Sequence, residues 1–167
     1  MESVFTTGGD IWGTPVPKVT AATVFLGTFN GFAAVTEGDP MLSTKFGKQF
    51  PDKPLEVKGF FKYIGGAPFY NKEGVEVDQK DECAISAVLY EIENEEETLH
   101  GGNIYTAENI VASAIFNSKD QQTYTPFSLK LTYHKEYDAT KKYKFAVIFS
   151  ASKDGANYEA AVGSKLF

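Results

Sequence analysis

The sequence contains no arginine, so lysine supplies all 16 of its basic residues. The guanidinium group, whose planar fork suits bidentate binding of phosphate and carboxylate, is therefore absent. Acidic residues number 22 and the net charge is −6, and no basic block is present that would attract a polyanion. These features argue against nucleotide and phosphate ligands and predict that the protein binds no nucleic acid.

Cysteine is also scarce. Cys83 is the sole cysteine, which excludes an intrachain disulfide and a cysteine-based zinc site. It precedes an apolar stretch, a position that favours a buried and unreactive thiol. His100 and His134 have no partner at metal-ligand spacing, and no Asp-x-Asp-x-Asp loop indicates calcium. The sequence therefore predicts no metal site and no cofactor.

Long apolar runs are missing as well. No run approaches the roughly 20 residues that cross a bilayer, which predicts that the chain has no transmembrane segment. The N-terminus lacks the charged and apolar regions of a secretion signal. From these residues alone, the chain is either cytoplasmic or a piece of a longer exported protein.

Aromatic residues and glycine are abundant, with 14 Phe, 9 Tyr and 15 Gly. Phenylalanine, tyrosine and the β-branched residues favour strands, because their side chains pack well on a pleated surface. A length of 167 residues fits one domain with a sizeable core. We therefore expect a single β domain over residues 1–167.

The end of the chain gives the clearest structural pattern. The run from Tyr143 to Ala151 is almost continuously apolar, which predicts a strand covered on both faces. Asp154-Gly155 then predicts a tight turn, because glycine reaches positive φ without steric cost. The limb that follows carries small residues that would let its backbone lie close to a neighbour: Ala160, Ala161, Gly163 and Ser164.

Apolar runs and alternation predict further strands over 19–29, 55–64, 83–92, 109–116 and 127–133. Propensity alone would also allow a short helix over 109–116, but its β-branched pairs favour a strand. Pro126 is expected to open the last of these strands. Loops or long connections are predicted over 1–18, 37–54 and 67–80. The fold class is therefore all-β, a two-sheet β-sandwich, most simply a jelly roll.

The closing segment FSASKDGANYEAAVGSKLF resembles the C-terminal signature of a bacterial family, the putative carbohydrate metabolism domain. Further stretches agree with the family in order and spacing: VFLGTF, PLEVKGFFKYIGG, CAISAVLYEI, ENIVASAIF and YTPFSLKLTY. Asn157-Tyr158-Glu159-Ala160 replaces the family's aromatic-Glu-Gly pattern. Because that pattern extends past both ends of this chain, we expect the first and last strands to be missing and the domain to be incomplete.

The resemblance implies a galactose-binding-like jelly roll and a role in carbohydrate handling, with an oligosaccharide or polysaccharide as the partner. It also implies a location outside the cytoplasm, at the cell surface or in the periplasm. Family members occur in exported, often lipoprotein-anchored proteins of glycan-foraging bacteria. The family does not fix a biochemical activity, so the residues themselves have to suggest one.

Glycoside hydrolysis needs two carboxylates, roughly 5 Å apart for retention of configuration or about 6.5–9.5 Å apart for inversion. The candidate groups are Glu91 with Glu93, Asp78 with Asp81 and Glu82, and Asp154 with Glu159. Each of them also fits an ordinary role as a surface charge or turn residue. No catalytic residue is therefore assigned.

Sugar binding needs less, because an exposed aromatic ring can pack on the apolar face of a pyranose beside a few polar groups. The candidate ligand-binding residues are Trp12, Tyr70, Tyr105 and Tyr158, in or beside predicted loops, and Lys62 within the apolar FFKYI stretch. Each aromatic residue would equally serve as a loop anchor. Lys62 would equally lie on a solvated outer face.

The leading hypothesis is a non-catalytic carbohydrate-binding accessory domain of an exported glycan-utilisation protein. One alternative is a glycoside hydrolase that uses a pair of the carboxylates named above. Another is a structural or adhesive surface module without a sugar site.

Overall fold

Strands dominate the computed structural model, which describes residues 1–11 and 14–167. The strands are β1 (Val4–Phe5), β2 (Gly9–Ile11), β3 (Thr14–Val16), β4 (Val19–Thr20), β5 (Thr23–Phe25), β6 (Gly27–Phe29), β7 (Thr44–Phe46), β8 (Lys48–Gln49), β9 (Glu56–Ile64), β10 (Phe69–Tyr70), β11 (Glu76–Val77), β12 (Cys83–Ile92), β13 (Ile110–Ser118), β14 (Gln121–Lys130), β15 (Thr132–Tyr133), β16 (Lys142–Ser150), β17 (Ala160–Ala161) and β18 (Lys165–Leu166). Helix α1 (Gly31–Thr36) and 3-10 turns at Pro40–Ser43 and Gly155–Asn157 complete this regular structure. Within the described residues, no helix has the length and apolar character needed to cross a membrane.

Two antiparallel sheets form the sandwich. The larger sheet has the order β15-β13-β12-β16-β5, and β8 also pairs with β16. The smaller sheet has the order β14-β9-β18. At the centre of the larger sheet, β12 and β16 pair continuously from Ala84 opposite Ser150 to Ile92 opposite Lys142. The predicted all-β sandwich is therefore confirmed, and the galactose-binding-like subdivision, the single domain and its incomplete ends stay predictions.

The main core lies between the two sheets. One face of β12 is fully buried there, and its inward side chains are Cys83, Ile85, Ala87 and Leu89. They pack against the inward residues of the smaller sheet: Phe61, Tyr63, Phe127, Leu129 and Leu166. Since successive side chains of a strand point to opposite faces, every second residue of β12 reaches this core. Burial raises the pKa of the Cys83 thiol to about 11, which fits the predicted unreactive thiol.

A second, smaller core covers the other face of β12. Val88 and Tyr90 meet Phe46 and Leu99 there, together with Ile104. The Tyr90 hydroxyl donates a hydrogen bond of 2.5 Å to the Phe46 carbonyl, and burial raises the pKa of Tyr90 to about 12. The segments 40–46 and 99–104 are thereby held against the outer face of the larger sheet. The long apolar run of β12 is explained by this burial on both faces.

A buried carboxylate attaches the end of the chain to the start of β12. Asp81 is only 3% exposed. Its Oδ1 accepts hydrogen bonds from the Glu82 N–H (2.9 Å) and the Ser152 hydroxyl (2.7 Å). Its Oδ2 accepts from the Ala161 N–H (2.9 Å) and the Ser164 hydroxyl (2.7 Å). This one side chain therefore positions the whole returning limb.

The small residues of that limb allow the close approach that the sequence predicts. Ala160, Ala161 and Ser164 have no exposed surface. A β-carbon on Gly66 would lie 2.0 Å from the Val162 carbonyl oxygen, so only glycine fits at that position.

The predicted turn at Asp154-Gly155 forms, but Gly155 does not adopt the positive φ on which the prediction was based. Gly155 begins the 3-10 turn, and the positive φ of 64° falls on Tyr158. A β-carbon on Gly155 would lie 2.4 Å from the Ala21 β-carbon. Glycine is therefore needed here for packing.

Five of the predicted strands are confirmed, and β9, β12, β13 and β16 differ from them by at most two residues at their ends. The strand predicted over 127–133 corresponds to β14, which begins six residues earlier and ends at Lys130, and to β15 in the other sheet. Two details were wrong. Pro126 lies inside β14, opposite Phe60, where β14 is an edge strand and a missing N–H is tolerated. Leu55, where the predicted strand began, precedes β9 and is 66% exposed.

The predicted strand over 19–29 is wrong as a single element. It is divided into β4, β5 and β6, which pair with β1, β16 and β7 respectively. The chain bends at Leu26, and a β-carbon on Gly27 would lie 2.2 Å from the Lys45 carbonyl oxygen. Glycine there lets β6 pair closely with β7 and ends the pairing with β16.

Segments predicted as loops also contain short strands. β1, β2 and β3 lie within 1–18, β7 and β8 within 37–54, and β10 and β11 within 67–80. Tyr70 therefore lies in a small sheet of order β11-β10-β17 and not at a loop tip. Pairings of two or three residues are too short to show a hydrophobic period.

We expect Asp81→Asn to lower the free energy of unfolding by about 2–4 kcal/mol. Each carboxylate oxygen accepts one backbone N–H, from Glu82 or from Ala161. The amide NH₂ of asparagine would therefore face a backbone donor in either orientation. Urea titration measures the change, with Asp78→Asn as the control, because Asp78 is exposed and should change stability by less than about 0.5 kcal/mol. Equal effects of the two variants would contradict the structural role of Asp81.

The pH dependence of that difference is a second prediction. Burial raises the pKa of the Asp81 carboxyl above its ordinary value of 3.8, although the hydrogen bonds it accepts act in the opposite direction. The folded protein then binds this proton more readily than the unfolded chain. Binding of this proton therefore stabilises the folded protein at low pH, and the stabilisation is lost as the pH rises through the pKa that Asp81 has in the folded state. The stability difference between wild type and Asp81→Asn should therefore grow from about pH 7 to about pH 4, and a shrinking difference would indicate a lowered pKa.

Candidate functional site

A cleft of about 270 Å³ opens on the outer face of the larger sheet. Strands β5, β7, β12 and β16 supply its floor together with Ile104, and the walls come from the 3-10 turn at Pro40–Ser43, the turns that hold Gly101 and Tyr105, and the segment 152–158. The lining residues that carry its chemistry are Met41, Phe46, Ile104, Tyr105, Ile148 and Tyr158, with Ala84, Thr44, Ser150, Ser152 and Lys153 between them. Larger hollows of about 720 and 610 Å³ lie elsewhere and include none of the four described ligand-binding candidates.

The floor of the cleft is part of the second core. Phe46, Ile104 and Ile148 are each buried, and the Phe46 ring packs edge-on against Phe25 at 4.9 Å between centroids. These side chains are held in place because they pack between the larger sheet and the segments 40–46 and 99–104 that cover it. The cleft therefore has a preformed apolar floor.

Tyr105 stands in the wall formed by the turns after His100. Its hydroxyl lies 2.8 Å from the Ser86 hydroxyl on β12, and burial of that end raises the pKa of Tyr105. The residue nevertheless keeps 47% of its surface exposed. The hydroxyl end is thus anchored to the sheet while part of the ring remains available to a ligand.

Tyr158 contributes the second ring and has an unusual backbone. It follows the 3-10 turn with φ 64°, a left-handed conformation that costs a bulky residue about 1–3 kcal/mol. Its N–H donates to the Gly155 carbonyl at 3.1 Å, and burial raises its pKa. Strain of this kind, at a residue that lines a cleft, favours a functional reason for the tyrosine.

Most hydroxyl groups of the lining already have partners within the protein. The Thr44 hydroxyl donates to the Met41 carbonyl (3.3 Å) and accepts from the Gly101 N–H (3.1 Å). The Ser150 hydroxyl donates to the Ser152 carbonyl at 2.7 Å. The Ser152 hydroxyl donates to Asp81, as described above.

Charged groups contribute little to the lining. Lys153 Nζ forms an ion pair of 2.5 Å with Asp154 Oδ2. Among the described residues, no aspartate, glutamate, asparagine, glutamine or histidine lines the cleft. The arrangement can stack an aromatic ring against a ligand and bury apolar groups, but it presents few free polar atoms.

The structure brings together two of the predicted ligand-binding residues, Tyr105 and Tyr158, and places two others elsewhere. Tyr70 packs against the Phe5 ring at 6.0 Å, and Lys18 Nζ lies 5.6 Å from its ring centroid. Lys62 lies on the outer face of the smaller sheet, with Nζ 5.2 Å from the Phe167 ring centroid. Trp12 lies outside the described residues.

The carboxylates proposed for hydrolysis do not converge in the cleft. Asp81 is a buried structural group, Glu91 forms an ion pair of 2.9 Å with Lys141, and Asp78 and Glu93 are exposed. Asp154 and Glu159 belong to the segment that lines the cleft, but neither is a lining residue. In the part of the chain that the structure describes, no cluster of His, Cys, Asp or Glu could hold a metal ion.

Sequence reasoning missed the residues that shape the floor. Phe46, Ile104 and Ile148 line the floor and Met41 lines a wall. Met41 and Phe46 fall in the connection predicted over 37–54, and Ile104 falls in no predicted strand. The signal that could have found them is the apolar character of Met41, Phe46 and Ile104 within otherwise polar, glycine-containing connections.

Comparisons with known proteins agree with this picture. A family model described as "Putative carbohydrate metabolism domain" matches residues 1–167. A putative glycoside hydrolase from Bacteroides thetaiotaomicron is 31% identical, with a TM-score of 0.84, and the match covers 99% of this chain and 50% of that one. One from Bacteroides vulgatus is 32% identical, with a TM-score of 0.76, and the match covers 89% of this chain and 62% of that one. No curated protein matches the chain.

Proposed function

The chain belongs to the putative carbohydrate metabolism domain family, and we propose that it binds carbohydrate at the cleft of Tyr105 and Tyr158 without cleaving it. The observation that carries this proposal is the pairing of two partly exposed tyrosines with a preformed apolar floor. A pyranose presents an apolar face that packs on such rings. Concave, mostly apolar sites with a few polar groups are typical of small-ligand binding.

We further propose that the domain works as an accessory module of an exported protein, at the cell surface or in the periplasm. The support is the family resemblance. The chain spans about half the length of one solved neighbour and 62% of the other. If these longer proteins are catalytic, the active site can lie in the part of their chains that this chain does not match.

Hydrolysis is the second candidate function, because both solved neighbours are named putative glycoside hydrolases. The carboxylates close to lining residues, in the chain or in space, include Asp154 and Glu159 on either side of the 3-10 turn, and Asp81, which is buried and bonded to Ser152. Asp154 is engaged by Lys153, and the cleft lining offers no carboxylate of its own among the described residues. This arrangement favours binding over catalysis.

Binding can be tested by affinity electrophoresis in gels that contain xylan, pectin or gastric mucin glycans. We expect at least one of these to retard the protein. Tyr105→Ala and Tyr158→Ala should each weaken retardation at least about fivefold, because each removes a ring worth about 1–3 kcal/mol of stacking and burial.

Tyr124→Ala is the matched control, because Tyr124 is 64% exposed on β14 and does not line the cleft. Its binding should equal that of the wild type. Retardation that depends on Tyr124 as strongly as on Tyr158 would move the site to the smaller sheet. No retardation by any glycan, with a protein partner captured instead, would favour the adhesive-module alternative.

Catalysis can be tested with a panel of 4-nitrophenyl glycosides and by reducing-sugar release from the same polysaccharides. We expect rates equal to those of buffer alone, since no carboxylate pair faces the cleft. Turnover that Asp154→Asn or Glu159→Gln abolishes, with unfolding unchanged, would instead establish a hydrolase.

A further inference from the structure

We propose that the cleft selects a neutral sugar carrying a methyl-bearing substituent, either an acetamido group or the methyl of a 6-deoxy sugar, and that this methyl group enters the apolar floor. This inference rests on the proposed carbohydrate-binding role of the same cleft. It goes beyond that role by naming the class of sugar.

The first argument is the state of the polar groups in the lining. The hydroxyl groups of Thr44, Ser150 and Ser152 each donate their hydrogen to a partner within the protein, and the Tyr105 hydroxyl is bonded to Ser86. The other lining hydroxyls belong to the exposed Thr20 and Thr23 and to the half-buried Tyr158. A sugar hydroxyl that entered the floor would leave water and find few free partners. Such unpaired burial is unfavourable, so the group that enters should be apolar.

The second argument is the shape and chemistry of the floor. Ala84, which lies opposite Ser150 on β16, contributes a single methyl to the lining, so β12 leaves space where a larger side chain would fill the cleft. Met41 closes one side, and its unbranched thioether adapts to irregular apolar groups. A methyl group on the floor would be buried against apolar side chains, whereas the sugar ring would rest against the tyrosines at the rim.

The third argument is size. Pockets for drug-sized ligands usually span about 300–1,000 Å³, and this cleft, at about 270 Å³, lies just below that range. One sugar unit with its substituent fits such a volume. The remainder of a longer glycan would extend outside the cleft, which accords with a site that recognises one distinctive unit.

The fourth argument concerns charge. Lys153 is the one cationic side chain among the described lining residues, and it is already paired with Asp154 at 2.5 Å. The absence of arginine removes the usual partner for carboxylate or sulfate groups. A neutral sugar is therefore favoured over a uronate or a sulfated unit.

Isothermal titration with matched sugar pairs tests the proposal on the full chain. One pair is N-acetyl-D-glucosamine and D-glucose, and the other is L-fucose and L-galactose, which differs only in the methyl group at carbon 6. We expect the methyl-bearing member of at least one pair to bind at least about fivefold more tightly than its partner. The pair that shows the preference identifies the source of the methyl group.

Ala84→Val is the diagnostic variant, because it fills the floor while keeping a residue that suits a strand. We expect it to abolish the preference within a pair. Ala139→Val, in an exposed loop outside the cleft, is the matched control and should keep the preference. Urea titration of both variants confirms that the fold is retained; if Ala84→Val unfolds, Met41→Ala takes its place and should reduce the preference by enlarging the floor.

The outcomes separate the two proposals. Equal binding within both pairs, or a preference that survives in Ala84→Val, would overturn the methyl-selective floor and leave carbohydrate binding intact. Tighter binding of glucuronate than of glucose would overturn the proposal that the cleft selects a neutral sugar. Failure of every sugar and every polysaccharide to bind would remove the proposed function together with this inference.

Discussion

The Asp81 carboxylate is the interaction on which the rest of the structure depends. A charged group buried this deeply is unfavourable unless donors surround it, and here two backbone N–H groups and two serine hydroxyls do so. Three of those donors come from the last sixteen residues, at Ser152, Ala161 and Ser164. Burial of the carboxylate is therefore tolerated only while this segment stays in the one position that supplies these donors.

The cleft follows from the same attachment and from the double burial of β12. One face of that strand builds the sandwich core, and the other face gathers the covering segments at 40–46 and 99–104. These segments form one side of the cleft. The segment 152–158 forms another, and it begins at the serine that bonds Asp81. Packing of the sheet and a polar contact at its end therefore combine to define a single concave surface.

Hydrophobic pattern was sufficient to predict the long strands but not the short ones. β9, β12, β13, β14 and β16 each extend over enough residues for alternation or continuous apolar character to appear. The short strands β5 and β8 pair with the distant β16, whereas β2 and β3 pair only with each other. Strands of two or three residues show no local period in either case. Gly155 and Gly27 show the same limit, since both are required by contacts across the fold rather than by their own turns.

The candidate site was predictable in part. Loop aromatics pointed to Tyr105 and Tyr158, because rings outside predicted strands are the ones free to meet a ligand. They pointed equally to Tyr70, which packs on Phe5 instead, and a sequence cannot distinguish these two fates. Asp81 carried the same ambiguity, since its acidic neighbours suggested surface chemistry, whereas its serine partners lie about seventy to eighty residues away.

The dispersal of the cleft along the chain has a consequence for its biosynthesis. Domains emerge from the ribosome with their N-terminal part first, and here the wall that bears Tyr158 follows every other lining segment of the cleft in the chain. A nascent chain lacking that wall could form the β12 layer but would have no cleft. The cleft can therefore form only after the segment 152–158 has been made and Ser152 has bonded to Asp81.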